Sequence, residues 1–579
     1  MMHGPEIRNS YPRLNDRAAG WLRFLHRKAT TPDDWSEDGE PHPWWDGAST
    51  PPMLSFPRFD LSESCYAIGV MADRTPAWRE VYGEILNGLA ERHVTYWAAI
   101  DWLTQFGPDP RRKSYPQEWI DALIPEHLVG EYDVPGWVAN DIEPWGMQPD
   151  PIGADGNLFF KGWLNLIQSL HAYVTGEDKW GDPFMVAGVD RARFEWTQHR
   201  IVEHLVSQWT ASPLGPHCEN TKIWPYCLSA AGLGLQLYDA VFGKSSHHVY
   251  GRWLEHNKDR YFGISGEGKL EWAPMYYDPL VDHMQTTAPP MGLAISFYMM
   301  PQAPAFAEFL YRAAVSFLGW DNPQSPVLEM PDPRFMALGL AVSREYGDYV
   351  TEARLRDYAE RHFEPRFFGR DNGDFGFWFN LGEDWPRGQM SSLAMVAEVG
   401  EPGAWRNLFL HPDLDKHHAP TVEGVDYPSL GVAQAWNDTR AGQLQLTVFA
   451  GNAEARGNRT SFRVTTLPDA GNVRILCDGG GFSSWRAVDE RTIEIETDIN
   501  AHSFQIYTGY RSDGNTRNNG AERVDTHGAA ENGASEARFM GEASRGSPQA
   551  AGGTSGHILL RSGGCPCCPS AAGSVTAAA

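Results

Sequence analysis

"WPYCLSAAGLGLQLYDAVFG" spans residues 224–243. Pro225 stands at a first helical position, where a missing N–H costs nothing, and Gly243 stands where a helix stops. Upstream, "GNLFFKGWLNLIQSLHAYVTG" (156–176) opens with Asn157 as a cap and ends at Gly176. Earlier still, "RTPAWREVYGEILNGLAERHVTYW" (74–97) offers Thr75 as N-cap and Pro76 as first helical residue. Its Trp78, Val81, Ile85 and Leu89 recur at helical spacing. Weaker helical patterns follow near 190–210, 247–260, 288–300, 304–319, 333–346, 351–363 and 388–398. Many helices in antiparallel succession, joined by long loops rich in Pro and Asp, predict a mainly α fold of the helical-hairpin toroid kind. An open solenoid is the other all-α arrangement, but no strict repeat supports it.

The period changes after Gly424. "GQLQLTVFAG", "TSFRVTTL", "NVRILCDG", "RTIEIETD" and "HSFQIYTGY" alternate apolar and polar residues between Gly, Asp and Asn. This predicts a small antiparallel β domain of roughly five strands over 424–510. Residues 1–60, rich in Pro, Trp and charge, read as an irregular arm. Residues 511–579 read as a disordered tail, since Gly, Ala, Ser and Asn bury too little apolar surface to order it. The tail's "CPCC" (565–568) lacks a second ligand cluster.

With 579 residues, 42% of them apolar, the chain has room for a large core. A formal charge of −26 repels polyanions, so neither nucleic acid nor an anionic membrane is an expected partner. The first thirty residues have no apolar signal core, and no later run is long enough to span a bilayer. The expectation is a cytoplasmic protein whose cysteines are mostly thiols.

Two of the seven cysteines fall in "HCENTKIWPYC" (217–227), with Glu219 directly after Cys218. Cys227 lies in the first turn of the helix that opens at Pro225, a place that favours a thiolate. Cys-x(8)-Cys is not usual zinc spacing, and no metal or cofactor is expected. Two inert buried thiols are the plain alternative, because free cysteine commonly packs as a small hydrophobe.

"DPIGADGNLFFKGWLNLIQSLHAYVTG" (150–176) and "CENTKIWPYCLSAAGLGLQLYDAVFG" (218–243) together resemble the linalool dehydratase/isomerase family. The first matches a segment with a K-G-H-L-N core and a V-T-G helix end. The second matches a C-E-x(7)-C segment that runs into a helix ending Y-D-x-x-x-G. "LGLAVSREYGD" (338–348) and "HFEPRFFGRDNGDFGFWF" (362–379) are weaker echoes. The resemblance implies an α/α toroid (six-hairpin barrel) over 61–423, whose cavity takes a small apolar alcohol such as a terpenoid. It implies dehydration, hydration or allylic rearrangement without a cofactor, in a homo-oligomer whose neighbouring subunit completes the cavity. Cys218, Cys227 and Glu219 fall on the family's active-site cysteines and carboxylate.

Three positions depart from the family. Its K-G-H histidine is Trp163 here, and the tyrosine of its A-Y-T-T stretch is Gln285. Its N-terminal tyrosine, four before a cysteine, would be Leu61, before Cys65; Asp60 and Tyr66 sit beside that place. The partner for Cys65 is also missing, so no disulfide is expected there. His283, in "YYDPLVDHMQTT" (276–287), is the candidate for the missing imidazole, on a loop leading into a helix. Phe159, Phe160, Trp163, Tyr226 and Gln285 are the candidate lining residues, and the exchange of His for Trp suggests a bulkier or more apolar substrate. Aromatic faces suit a transient allylic cation. Lys161, in the same first turn as Trp163, reads as a solvated or salt-bridged group.

Two other functions fit parts of the sequence. A carbohydrate-active toroid enzyme (glycoside hydrolase or polysaccharide lyase) would use paired carboxylates or a Tyr/His pair, with Trp side chains as sugar platforms. A non-catalytic binding protein would keep the toroid and lose the reaction.

Overall fold

The computed structural model describes residues 11–33, 42–45, 56–95, 98, 148–188, 191–218, 222–279, 282–330, 332–369, 371–380 and 383–511. Helices dominate those up to residue 410. They are α1 (Asp16–Thr30), α2 (Phe56–Glu63), α3 (Tyr66–Arg74), α4 (Glu80–Val94), α5 (Leu158–Thr175), α6 (Gln198–Ala211) and α7 (Pro225–Phe242). Then follow α8 (His248–Tyr261), α9 (Met291–Met299), α10 (Pro304–Phe317), α11 (Pro333–Glu345), α12 (Tyr349–His362), α13 (Gly388–Val399) and α14 (Ala404–Leu410).

Their packing order returns to its start. α5 packs on α7, α7 on α9, α9 on α11, α11 on α13, and α13 on α2 and α3, which lie again against α5. α4, α6, α8, α10 and α12 each pack against members of this set. The α5–α7 crossing is close because glycines face it. A Cβ on Gly162 would come within 2.7 Å of Ala231 Cβ, and one on Gly234 within 3.2 Å of the Leu166 backbone. The backbones therefore approach to a distance that larger residues would forbid.

α5 and α7 end as the sequence predicts, at Gly176 and Gly243 in the left-handed region (φ 80° and 64°). α7 also begins at Pro225. Three expectations change. Residues 16–30, read as part of an irregular arm, form α1, whose Ala18, Trp21, Leu22 and Leu25 are buried at helical spacing. The helix expected from Thr75 starts only at Glu80. The backbone at 75–78 is taken by the β region instead: Ala77 N–H donates to the Ala435 carbonyl, and Val422 N–H to the Ala77 carbonyl. Asn157 does occupy the N-cap of α5, but at φ 64° its side chain turns away and donates to the Pro151 carbonyl at 3.1 Å.

Past residue 420 the chain forms two antiparallel sheets rather than one group of five strands. One has the order β13–β12–β16–β10–β9, the other β14–β15–β11–β8. The additional strands, such as Thr421–Glu423 (β8) and Gly480–Phe482 (β13), are too short for alternation to reveal. Shorter hairpins, β1–β2 (Phe184–Ala187, Arg193–Trp196) and β6–β7 (Arg366–Phe368, Asp374–Gly376), interrupt the helical region. β4 (Leu270–Asp278) lies between β3 (Gly263–Ile264) and β5 (His283–Thr287). In the large sheets the remaining strands are β9 (Leu430–Asp438), β10 (Gln443–Ala450), β11 (Arg459–Thr465), β12 (Arg474–Cys477), β14 (Trp485–Asp489), β15 (Thr492–Asp498) and β16 (His502–Tyr507). One buried apolar cluster runs from the helices into both sheets, through Trp78, Val422 and Leu430.

Candidate functional site

The loop before α7 is pinned on three sides. Cys218 N–H donates to the Lys222 carbonyl at 2.8 Å, and the Cys218 carbonyl accepts from Asn157 N–H at 2.5 Å. Ile223 exchanges both backbone hydrogen bonds with Tyr277 of β4. Cys218 Sγ accepts from Phe159 N–H at 3.3 Å, so a thiol serves one of the backbone donors that every helix N-terminus leaves unpaired. Cys218 Sγ is also 3.4 Å from Cys227 Sγ, and both residues are buried. The two sulfurs thus meet where the opening turns of α5 and α7 converge. Glu219 lies outside the described residues.

The same turn of α7 carries Tyr226, the start of a buried hydrogen-bonded chain. Tyr226 O–H donates to Glu63 Oε1 at 2.8 Å and lies 2.8 Å from the Tyr298 hydroxyl. Tyr298 lies 2.6 Å from the Tyr66 hydroxyl, which accepts from Trp163 Nε1–H at 2.8 Å. Donor counting fixes the direction. Tyr226 has one proton and gives it to Glu63, so Tyr298 donates to Tyr226 and Tyr66 to Tyr298. Indole can only donate, which is consistent at the other end. Every proton in the chain points toward Glu63.

Burial first, and then the Glu63 charge, push Tyr66, Tyr226 and Tyr298 well above the ordinary tyrosine range. All three hydroxyls therefore stay protonated and available as donors. Arg334, buried in the first turn of α11, opposes that shift at Tyr226 and Tyr298.

Aromatic rings close around the chain. Phe159 stacks on Trp163 at 4.1 Å between centroids, and Trp163 stacks on Tyr226 at 5.8 Å. Phe59 meets Phe159 edge-on at 5.1 Å. Phe160 points elsewhere, against His93 at 5.5 Å.

The remaining expected residues fall in three places. Asp60 is buried in an ion pair with Lys28 and accepts from Gly388 N–H at 2.6 Å, at the start of α13. Such a carboxylate holds helices together, and Tyr66 rather than Asp60 joins the chain. His283 and Gln285 lie on β5 of a β hairpin, not on a loop leading into a helix. Pro279 and Asp282 (φ 49°) flank the turn, and helix α9 waits until after Pro289–Pro290. His283 Nε2 is 3.1 Å from Gln285 Oε1, and its ring faces Tyr276, which packs on Trp224. The hairpin thus leans on the start of α7 from outside the tyrosine chain. Cys65 Sγ donates to the Ser62 carbonyl at 3.2 Å.

Lys161 corrects its sequence reading. It is buried and, among the described residues, has no salt bridge: Nζ donates to the carbonyls of Ile152 (3.1 Å) and Ala154 (2.6 Å). Burial pushes it down to about 7.

Glu63 and Tyr298 were not among the sequence candidates. Their signal is faint: Glu63 sits between two serines in the mixed run "RFDLSESCYAIGV", and Tyr298 is one hydroxyl in the largely apolar "GLAISFYMM". Only packing shows that the two runs meet.

The class defined so far is a mainly helical protein with sheets, holding a thiol pair and a tyrosine–carboxylate chain at converging helix ends. The family model for linalool dehydratase/isomerase matches residues 135–374, the stretch that carries both thiols, Trp163, Tyr226, Tyr298 and Arg334. Among solved structures, the chain is similar to Ara127N-Se, a GH127 β-L-arabinofuranosidase from Geobacillus stearothermophilus T6. The identity is 11% and the TM-score 0.21, over 84% of this chain and 75% of that one. A TM-score of this size carries no argument. No curated protein matches the chain. Among the described residues, no helix is long and apolar enough to cross a membrane.

Proposed function

We propose that this protein is a lyase or isomerase that acts on a small apolar alcohol, of terpenoid type, inside an α/α toroid. Support for the toroid is the packing order of α5, α7, α9, α11, α13 and α3, which closes on itself. Support for the chemistry class is the family match over 135–374. The observation that carries the reading is one turn of α7, where Cys227 meets Cys218 and Tyr226 opens the chain to Glu63.

In the proposed reaction the carbon–oxygen bond of an allylic alcohol breaks as its oxygen takes a proton, releasing water and leaving an allylic cation. Loss of a proton from a neighbouring carbon forms the diene. Return of water at the other end of the allyl group gives the isomer instead. Both proton transfers need groups poised beside the substrate, and the thiols with Glu219 fill that role. The faces of Phe159, Trp163 and Tyr226 stabilise the cation. The tyrosine chain holds these rings in place and extends the negative charge of Glu63 toward them.

The test is product analysis by mass spectrometry on a panel of allylic and tertiary terpenoid alcohols, with oligosaccharides alongside. Dehydration or allylic shift by the wild type, lost in Cys218→Ala and in Cys227→Ala, is the expected result. Cleaved sugars with unchanged alcohols would overturn the reading.

A further inference from the structure

A second group of ligating side chains lies in the β region, far along the chain from the thiol pair. β12 ends at Cys477, the chain turns at Asp478, and β16 opens at His502. β12 and β16 are antiparallel neighbours, with Cys477 opposite Phe504, and this register brings the three side chains to one spot. Cys477 Sγ is 3.6 Å from Asp478 Oδ2 and 3.8 Å from His502 Nδ1. His502 Nδ1 is 2.9 Å from the same Asp478 Oδ2.

These separations approach the edges of a coordination tetrahedron. With metal bonds of about 2.3 Å to sulfur and about 2.1 Å to nitrogen and oxygen, the sulfur edges are ~3.6 Å and the N–O edge ~3.4 Å. Only the N–O edge has to open appreciably, by about half an ångström.

The surroundings of the ligands are also in place. His502 Nε2 donates to Asp498 Oδ1 at 2.6 Å, from the end of β15. The other oxygen of Asp478 accepts from Ser503 N–H at 3.0 Å. A metal-binding histidine typically gives its outer N–H to a carboxylate, which fixes the ring and makes the inner nitrogen more basic.

We propose that Cys477, Asp478 and His502 bind one divalent transition ion of the zinc class, with Asp498 orienting the imidazole. Thiolate and imidazole favour such an ion over magnesium or calcium, which take oxygen ligands. The metal replaces the proton that His502 Nδ1 shares with Asp478, and the thiol proton is released to solvent. Cys477 and His502 are only partly buried, so the fourth position faces water. The ion would clip the turn after β12, next to the edge strand β13, onto the start of β16.

The experiment uses tag-free full-length protein with Cys565, Cys567 and Cys568 replaced by serine, so that the tail thiols cannot compete. Cobalt(II) is added and the thiolate-to-cobalt charge-transfer absorption is read, then zinc is titrated by calorimetry. One zinc per chain is expected, with a higher melting temperature and loss of the cobalt band as zinc displaces it. Cys477→Ser should abolish the band. His502→Ala should weaken zinc binding at least tenfold, and Asp498→Asn ten- to a hundredfold. Circular dichroism without metal checks that each variant is folded, and Cys477→Ser stands in should His502→Ala fail to fold. Absence of the band overturns the proposal. So does a band unchanged in Cys477→Ser, which would place the ion on Cys218 and Cys227.

Discussion

Two parts of the candidate site meet on one turn of α7 and were built in different ways. The thiol corner is short-range: only eight residues lie between Cys218 and Cys227, the loop delivering the first and the opening turn of α7 the second. The tyrosine chain is long-range: Glu63, Tyr66, Trp163, Tyr226 and Tyr298 come from α2, α3, α5, α7 and α9. The difference teaches where each feature gets its stability. The loop and the first turn of α7 hold the two sulfurs mainly through backbone hydrogen bonds, to Asn157, Phe159 and Tyr277, which do not depend on a buried side-chain network. A buried carboxylate joined to three hydroxyls exists only while five helices hold position, because each unpaired member costs a desolvation penalty.

Deleting one member of each part tests the contrast between them. Cys218→Ala and Cys227→Ala should lower turnover of the active alcohol by about a hundredfold or more, as loss of a general acid or base does. The melting temperature of Cys227→Ala should stay close to wild type, while Cys218→Ala, which takes the sulfur acceptor from the buried Phe159 N–H, should lower it. A loss of stability in Cys227→Ala equal to that in the tyrosine variant would erase the distinction between a chemical corner and a structural chain.

Tyr298→Phe sharpens it from the other side. It removes the middle hydroxyl, leaving Tyr66 without its acceptor and Tyr226 without its donor. Urea unfolding should show a loss of ~1–3 kcal/mol. Gly162→Ala tests the close crossing that sets the two parts side by side. Its new methyl would press on Ala231, and overpacking should cost about 1–3 kcal/mol.

Lys161 gives a pH-dependent version of the test. Its folded value of about 7 lies below the ordinary 10.5. Below about pH 7 both folded and unfolded chains carry the proton, and the cost of the buried charge is felt in full. Between about 7 and 10.5 the folded chain has released it while the unfolded chain keeps it, so stability rises with pH. The stability of wild type relative to Lys161→Met should therefore climb across this window, by at most ~1.4 kcal/mol per pH unit. A flat difference would show that the ammonium stays charged. Trp163→Phe should have the smallest effect, about 1 kcal/mol, since it removes one N–H donor and keeps an aromatic face.

Legibility in the sequence followed the range of the interactions. Pro225, Gly176 and Gly243 mark their helix ends because φ preferences are local. Thr75–Pro76 misled for the complementary reason: its signals were local too, but the β region claimed the backbone at Ala77 and Trp78. His283 reads in sequence as loop, and only the pairing of His283 with Asp278 and of Met284 with Tyr277 shows a strand. Asp60 and Tyr66, equal candidates in sequence, part company once Lys28 takes one and Tyr298 the other.

By itself, the sequence determined the main helices of the central region, the alternating strands near the end, and the thiol pair with its helix. Each rests on residues within a few turns of one another. Tertiary structure alone decided that Glu63 and Tyr298 join the site, that Lys161 is buried, and that Cys477 and His502 face each other. Those facts depend on contacts between segments tens or hundreds of residues apart, for which no local spacing rule exists.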